Sequence, residues 1–175
     1  MLTLESQQRY GFAHALCNGK IVLDAGCKFG FGAEYLAIVA KQVIAIDIDS
    51  SRIYACRREQ KSDNIIFRIQ DLEKRFVFSR YKIDVVTCFE TLEHLKNPEK
   101  LIKQLPDILK ENGLFIFSVP IGDRLNKDGS RQEEHLQIFE TEKDIRKLVG
   151  NYLNVEFLGI HNPWSFLGIA RRFNE

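Results

Sequence analysis

Two periods of hydrophobic and polar positions take turns along this chain. Apolar runs closed by acidic or glycine-rich turns are followed by stretches of helical spacing. Leu4 to Leu16 reads as a helix, with Tyr10, Ala13, His14 and Cys17 near one face, and Asn18-Gly19 stops it. Ile21 to Leu23 reads as a buried parallel strand that ends at Asp24 and passes into a turn holding Gly26 and Gly30. Helical spacing returns from Phe31 to Ala40. Gln42 to Asp47 is a second strand, with a helix from Ser51 to Lys61 behind it, and Ile65 to Ile69 is a third. Glu73 to Tyr81 predicts an irregular helix. Ile83 to Cys88 is the fourth strand, followed by a helix from Pro98 to Leu109 in which Pro106 marks a kink or break. Glu111-Asn-Gly113 stops that helix, and Leu114 to Val119 is the fifth strand. Thr141 to Asp144 resembles a capping box that opens a helix to Val149. Tyr152 to Ile160 and Trp164 to Ala170 predict an antiparallel edge hairpin.

Strand, glycine turn, helix is the opening unit of a doubly wound α/β sheet. In such sheets ligands sit outside the carboxyl ends of the strands, where Asp24, Asp47 and Asp71 fall. Asp47 follows Gly26 at the interval expected of an acid that accepts bonds from two vicinal ribose hydroxyls. The alternative is that Asp47 caps the next helix, although Asp49 is better placed for that task. Asp71 is either an acceptor for an adenine amino group or a turn residue. The glycine spacing argues against a nicotinamide dinucleotide, because Cys27 and Lys28 stand where the second glycine of G-x-G-x-x-G belongs.

A length of 175 residues predicts a single domain, 1–175, with a lead-in helix in 1–19 and a substrate loop or lid in 120–140. A formal net charge of +1 demands neither nucleic acid nor an anionic membrane. No apolar run reaches spanning length, and the first residues do not read as a signal peptide. Cys17, Cys27, Cys56 and Cys88 are scattered, as reduced thiols of a cytoplasmic protein are.

Several segments resemble, in order, those of class I S-adenosylmethionine (SAM) methyltransferases, over almost the whole chain. Arg9-Tyr10 resembles the family's opening helix, and Asp24-x-Gly26-x-Lys28-x-Gly30 its D-x-G-x-G-x-G loop. Val43 to Asp47 and Asp71-Leu72 resemble its next two motifs. Ile83 to Leu95, ending Glu90-Thr-Leu-Glu-His-Leu95, is similar to the E-x-L-E-H motif of the ubiquinone-biosynthesis branch. Gly113 to Pro120 and His135 to Phe139 are similar to later segments of that branch. The resemblance implies a Rossmann-like, mostly parallel seven-stranded sheet with helices on both faces. It implies that Asp24, Gly26 and Gly30 line the methionine end of SAM and that Asp47 binds the ribose. It further implies that Ile48 and Leu72 cover the adenine, that Asp71 holds its amino group, and that Cys88, Phe89 and Glu90 lie beside the cofactor. Lys28, where glycine is usual, is a departure that crowds the methionine end or pairs with a carboxylate.

His94 and His135 are the candidate catalytic bases. Glu90, Glu93 and His94 share a neighbourhood if they lie on one helical turn. With His135 they resemble the metal set of small-RNA 2′-O-methyltransferases, in which a divalent ion lowers a hydroxyl's pKa. The same residues also read as a structural Glu93–His94 pair and a lid anchor. His14 and His161 read as packed or surface residues. The leading expectation is methyl transfer to an O or N atom of a small molecule. The alternatives are an RNA methyltransferase and a non-catalytic interaction module.

Overall fold

The computed structural model describes residues 2–76, 82–122 and 134–173. Most of the loop expected in 120–140, and the end of the segment expected as an irregular helix, lie outside them. The described part of that segment, Glu73 to Phe76, is a turn and its exit, not a helix.

The helices are α1 (Leu4–Leu16), α2 (Phe31–Ala37), α3 (Ser50–Glu59), α4 (Glu99–Ile102), α5 (Leu105–Ile108) and α6 (Glu142–Val149). The strands are β1 (Ile21–Ala25), β2 (Gln42–Asp47), β3 (Ile65–Ile69), β4 (Ile83–Phe89), β5 (Leu109–Pro120), β6 (Leu153–Asn162) and β7 (Ser165–Arg172). They form one seven-stranded sheet in the order β3-β2-β1-β4-β5-β7-β6. The first five strands in that order are parallel, and β7 runs antiparallel to both of its neighbours.

Both faces of the sheet are covered, which is why its strands read as nearly continuous apolar runs. Adjacent residues feed opposite cores. Val22, Val43, Val85 and Ile116 pack with Tyr10 and Ala13 of α1, Leu36 of α2 and Ile53 of α3. Leu23, Ile44, Val86 and Phe115 pack with Leu101, Leu105, Ile108, Ile145 and Val149 from α4, α5 and α6. From β1 the chain runs to β2 and β3 on one side and then crosses to β4 on the other, so the strand order switches between the adjacent β1 and β4. The crevice that such a switch opens at the strand ends is the expected ligand position.

Two boundaries differ from the sequence reading. The helix expected over Pro98 to Leu109 is two single turns, α4 and α5, broken at Lys103-Gln104. Pro106 lies in the first turn of α5, where its missing N–H costs nothing. Strand β5 begins at Leu109, so Glu111-Asn-Gly113 is an irregularity within the strand and not the stop of a helix. Ile83 pairs with Leu109 but Val85 with Leu114, and Asn112 adopts φ 59° to take up the extra residues. The Thr141 cap is as expected, with Asp144 accepting from the backbone N–H (2.8 Å) and hydroxyl (3.0 Å) of Thr141.

Candidate active site at the crest of the sheet

The glycine turn after β1 is held from below. The N–H groups of Gly26 and Cys27 both donate to the Ile46 carbonyl, at 2.9 and 3.0 Å. Gly26 has φ 82°, and a Cβ there would land on the Thr91 side chain. Conformation and clearance both require glycine at that position. Lys28 adopts φ 49°, and its N–H donates to Asp47 Oδ2 at 2.9 Å. The Asp47 Oδ1 accepts from the Asp49 N–H at 3.0 Å, while Asp49 caps α3 by accepting from Arg52 N–H at 3.1 Å. Asp47 is therefore not the cap. Each of its carboxylate oxygens keeps a second lone pair for a ligand.

A cavity of about 870 Å³ opens over this turn. That lies toward the upper end of the about 300–1,000 Å³ usual for small-molecule sites. Gly26, Asp47, Ile48, Asp71, Leu72, Glu90 and His94 all line it. Asp71 is also a turn residue, its Oδ1 accepting from Glu73 N–H at 2.9 Å. A second cavity of about 250 Å³ shares Gly26, Lys28 and Glu90 with the first and is closed by Arg9, Tyr10 and Phe89.

Asp24, Gly30 and Cys88, expected to face the cofactor, line neither cavity, and neither do Glu93 and the candidate base His135, which are buried. Asp24 is 1% exposed and lies beneath Tyr10, whose hydroxyl donates to its carboxylate at 3.1 Å; Thr87 Oγ1 donates at 2.8 Å. Burial pushes its carboxyl up to about 6, against the lowering effect of those two hydroxyl donors. Gly30 precedes α2 with φ 72° and packs against the Phe67 ring. Cys88 is fully buried, which drives its thiol well above the ordinary range.

Glu90, Glu93 and His94 do not share a helical turn. Glu90 is left-handed at φ 47°, and only Leu92–His94 forms a short 3₁₀ turn. The Glu90 carboxylate accepts from Ser118 Oγ at 2.8 Å and lies 3.8 Å from Arg9 Nη1. Glu93, His94 and His135 do come together, each offering a ligand atom within 4.8 Å of the others. His94 Nε2 is 3.7 Å from Glu93 Oε1, and the two imidazole centroids are 5.1 Å apart. The segment carrying His135 is docked by its backbone, with Leu136 and Gln137 N–H both donating to the Glu93 carbonyl at 2.7 and 3.0 Å. His94 Nδ1 is 2.8 Å from the Glu134 carbonyl, an acceptor only, so Nδ1 carries a proton. In the neutral ring the Nε2 lone pair is then available.

Arg9, which lines the smaller cavity, escaped the sequence reading as a site residue, and His161 lies near it without lining either cavity. Arg9 is 5% exposed, and its Nε and Nη1 make no hydrogen bond. His161, on the hairpin, is held below the ordinary imidazole range by burial first and then by the Arg9 guanidinium. The likeness of Arg9-Tyr10 to the family's opening helix was the available signal for Arg9.

A family profile described as "Methyltransferase domain" matches residues 23–117, just over half of the chain. The chain belongs to this methyltransferase-domain family. It is 34% identical over 106 residues to a ubiquinone biosynthesis O-methyltransferase of Glaesserella parasuis, covering 57% of this chain and 45% of that protein. The chain thus spans under half the length of that relative. Among solved structures it is similar to an S-adenosylmethionine-dependent methyltransferase of Mesorhizobium loti (TM-score 0.73, 15% identity, 97% and 100% of the two chains). It is equally similar to the N-methyltransferase NodS of Bradyrhizobium japonicum (TM-score 0.73, 18% identity, 97% and 95%). At those identities the likeness is one of fold. The family fold agrees with the Rossmann-like sheet expected from the motifs.

Proposed function

We propose that this methyltransferase-family chain moves a methyl group from SAM to an oxygen or nitrogen of a small-molecule acceptor. The observation that carries the reading is the single cavity on which Gly26, Asp47, Ile48, Asp71, Leu72, Glu90 and His94 converge. Asp47 binds the ribose hydroxyls through its two remaining lone pairs. Ile48 and Leu72 cover the adenine, and Asp71 Oδ2 accepts from its amino group. Arg9, buried and lacking hydrogen bonds at Nε and Nη1, binds the cofactor's carboxylate from the smaller cavity, with Lys28 at its mouth. Asp24, Gly30 and Cys88 act from beneath by holding the turn and the strand ends.

SAM supplies an electrophilic methyl on a sulfonium when bound. The chain's contribution is to hold the acceptor atom in line with that methyl and exclude water, which accounts for much of the rate in such displacements. His94 is the group we assign to receive the acceptor's proton, at Nε2. Its tautomer is set by the Glu134 carbonyl, and Glu93 stabilises the imidazolium that forms. Glu93, His94 and His135 are also a mixed carboxylate–imidazole donor set that suits a divalent ion. Such an ion would lower the pKa of an acceptor hydroxyl. Glu90 completes that set only if it leaves Ser118.

Calorimetric titration with SAM tests the reading. Wild type should bind, and Asp47→Ala should weaken binding by at least about tenfold, or about 1.4 kcal/mol. Absence of binding to wild type would retire the enzyme reading and leave the interaction module.

A further inference from the structure

One wall of the large cavity is basic, and it is built as a unit. Lys74, Lys96 and Lys100 all line it. Their backbones come from different segments and are pinned together by three side chains. Gln104 Nε2 donates to both the Lys74 carbonyl (3.2 Å) and the Lys100 carbonyl (2.9 Å), while its Oε1 accepts from Phe76 N–H (2.8 Å). Glu73 accepts from the N–H groups of Lys96 (3.3 Å) and Asn97 (2.7 Å). Gln137 Nε2 adds bonds to the Leu95 and Lys96 carbonyls, both at 3.1 Å.

Asp71 and Glu73 lie in the segments that form this wall, so three lysines meet two carboxylates there, while Asp47, Glu90 and Glu134 line the rest of the cavity. Glu73 is engaged by backbone donors, and Glu99 accepts from Tyr152 Oη at 2.7 Å. Lys74 stands 3.8 Å from Asp71 and is 79% exposed, a weak pair in water. Among the described residues, the ammonium group of neither Lys96 nor Lys100 has a carboxylate oxygen within 4.0 Å. Three ammonium groups gathered on one cavity wall repel one another unless an anion joins them. His94 and Leu136 line the same cavity, which places the proposed proton acceptor in the same enclosure as this wall.

We propose that the methyl acceptor is a small anion, bearing a phosphate or carboxylate that rests on Lys74, Lys96 and Lys100 while its nucleophilic atom meets His94. This rests on the methyltransferase reading above and adds the class of its substrate. The anion fixes the acceptor's orientation, and the cofactor fills the Asp47–Asp71 side of the same cavity.

The test is calorimetric titration of the chain saturated with S-adenosylhomocysteine, at low ionic strength, with phenyl phosphate, benzoate and benzyl alcohol. One or both anions should bind measurably tighter than the neutral alcohol. The K96Q/K100Q double variant should lose about tenfold or more of that affinity. Lys41→Gln, an exposed lysine away from the cavity, should lose none. The relative strength of phenyl phosphate and benzoate separates the two anion chemistries. Homocysteine-product binding should be the same in wild type, K96Q/K100Q and K41Q, which also verifies folding. Equal binding of anions and alcohol, or an undiminished anion affinity in K96Q/K100Q, overturns the proposal. A short single-stranded RNA that binds far tighter than either small anion, and does so through Lys96 and Lys100, overturns it in favour of an RNA acceptor. If wild type takes up no S-adenosylhomocysteine, the methyltransferase reading fails, and the same anion titration on the ligand-free chain still decides whether the wall binds anions.

Discussion

Asp24 is enclosed by two hydroxyl donors and no cation, and its carboxyl is raised to about 6 from an ordinary 3.8. The sign follows from proton counting. Between those two values the folded chain holds a proton that the unfolded chain has released, so this group makes stability fall as pH rises from about 4 to about 6. The full penalty, about 3 kcal/mol at neutral pH, is present above the folded value. Asp24→Asn should flatten that part of the profile, seen as a smaller change in denaturation midpoint between pH 4 and pH 6. An unchanged slope would place the titration elsewhere. The three crest aspartates look alike in the sequence, each closing an apolar run, yet the fold treats them differently. Asp47 and Asp71 open onto the cavity, whereas Asp24 is roofed by Tyr10. A roof contributed by a residue fourteen positions earlier leaves no local signature.

At the scale of elements, α1 and α2 meet through Tyr10 and Gly32. A Cβ on Gly32 would overlap the Tyr10 ring, which itself packs edge-on against Phe89 with centroids 5.0 Å apart. Gly32→Ala should therefore destabilise the fold by about 1–3 kcal/mol, the range for overpacking a filled core. It should also disturb the Tyr10–Asp24 bond, and a chemical denaturation curve would measure the loss. A cost near zero would mean that α1 shifts freely. The strands were readable from the sequence because both of their faces are buried, so each leaves an apolar run. The stretch from Pro98 to Gly113 was not, since apolar residues at helical spacing fit one broken helix or two single turns equally well. Lys103-Gln104 gives way because Gln104 is committed to the Lys74 and Lys100 carbonyls, a tertiary demand. The Glu90–His94 turn was misread as helix for a similar reason. Glu90 adopts a left-handed conformation where its N–H can reach Ser118 of β5, at 3.1 Å to the carbonyl and 3.2 Å to Oγ.

For the whole molecule, one sheet separates two cores, and no described element packs apart from them. Such an architecture should unfold in one step. Trp164, the single tryptophan, is at the turn between β6 and β7 and reports on the hairpin edge. Its fluorescence and the far-ultraviolet circular dichroism should share one midpoint. Cofactor product at about a hundred times its dissociation constant should raise the stability seen by both probes by about 2.7 kcal/mol. Separate midpoints would mean that the hairpin is an independent unit. Among the described residues no helix is long and apolar enough to cross a membrane.

The clamp on Glu90 has a bearing on biosynthesis. Its partners are Arg9 from α1 and Ser118 from β5, and β5 in turn is bordered by β7. A nascent chain would display its glycine turn early but could not orient Glu90 until both distant segments had docked. Ribosome-bound intermediates that lack β5 and β7 should thus be poor at retaining a nucleoside, and competence should arrive only once those strands have docked.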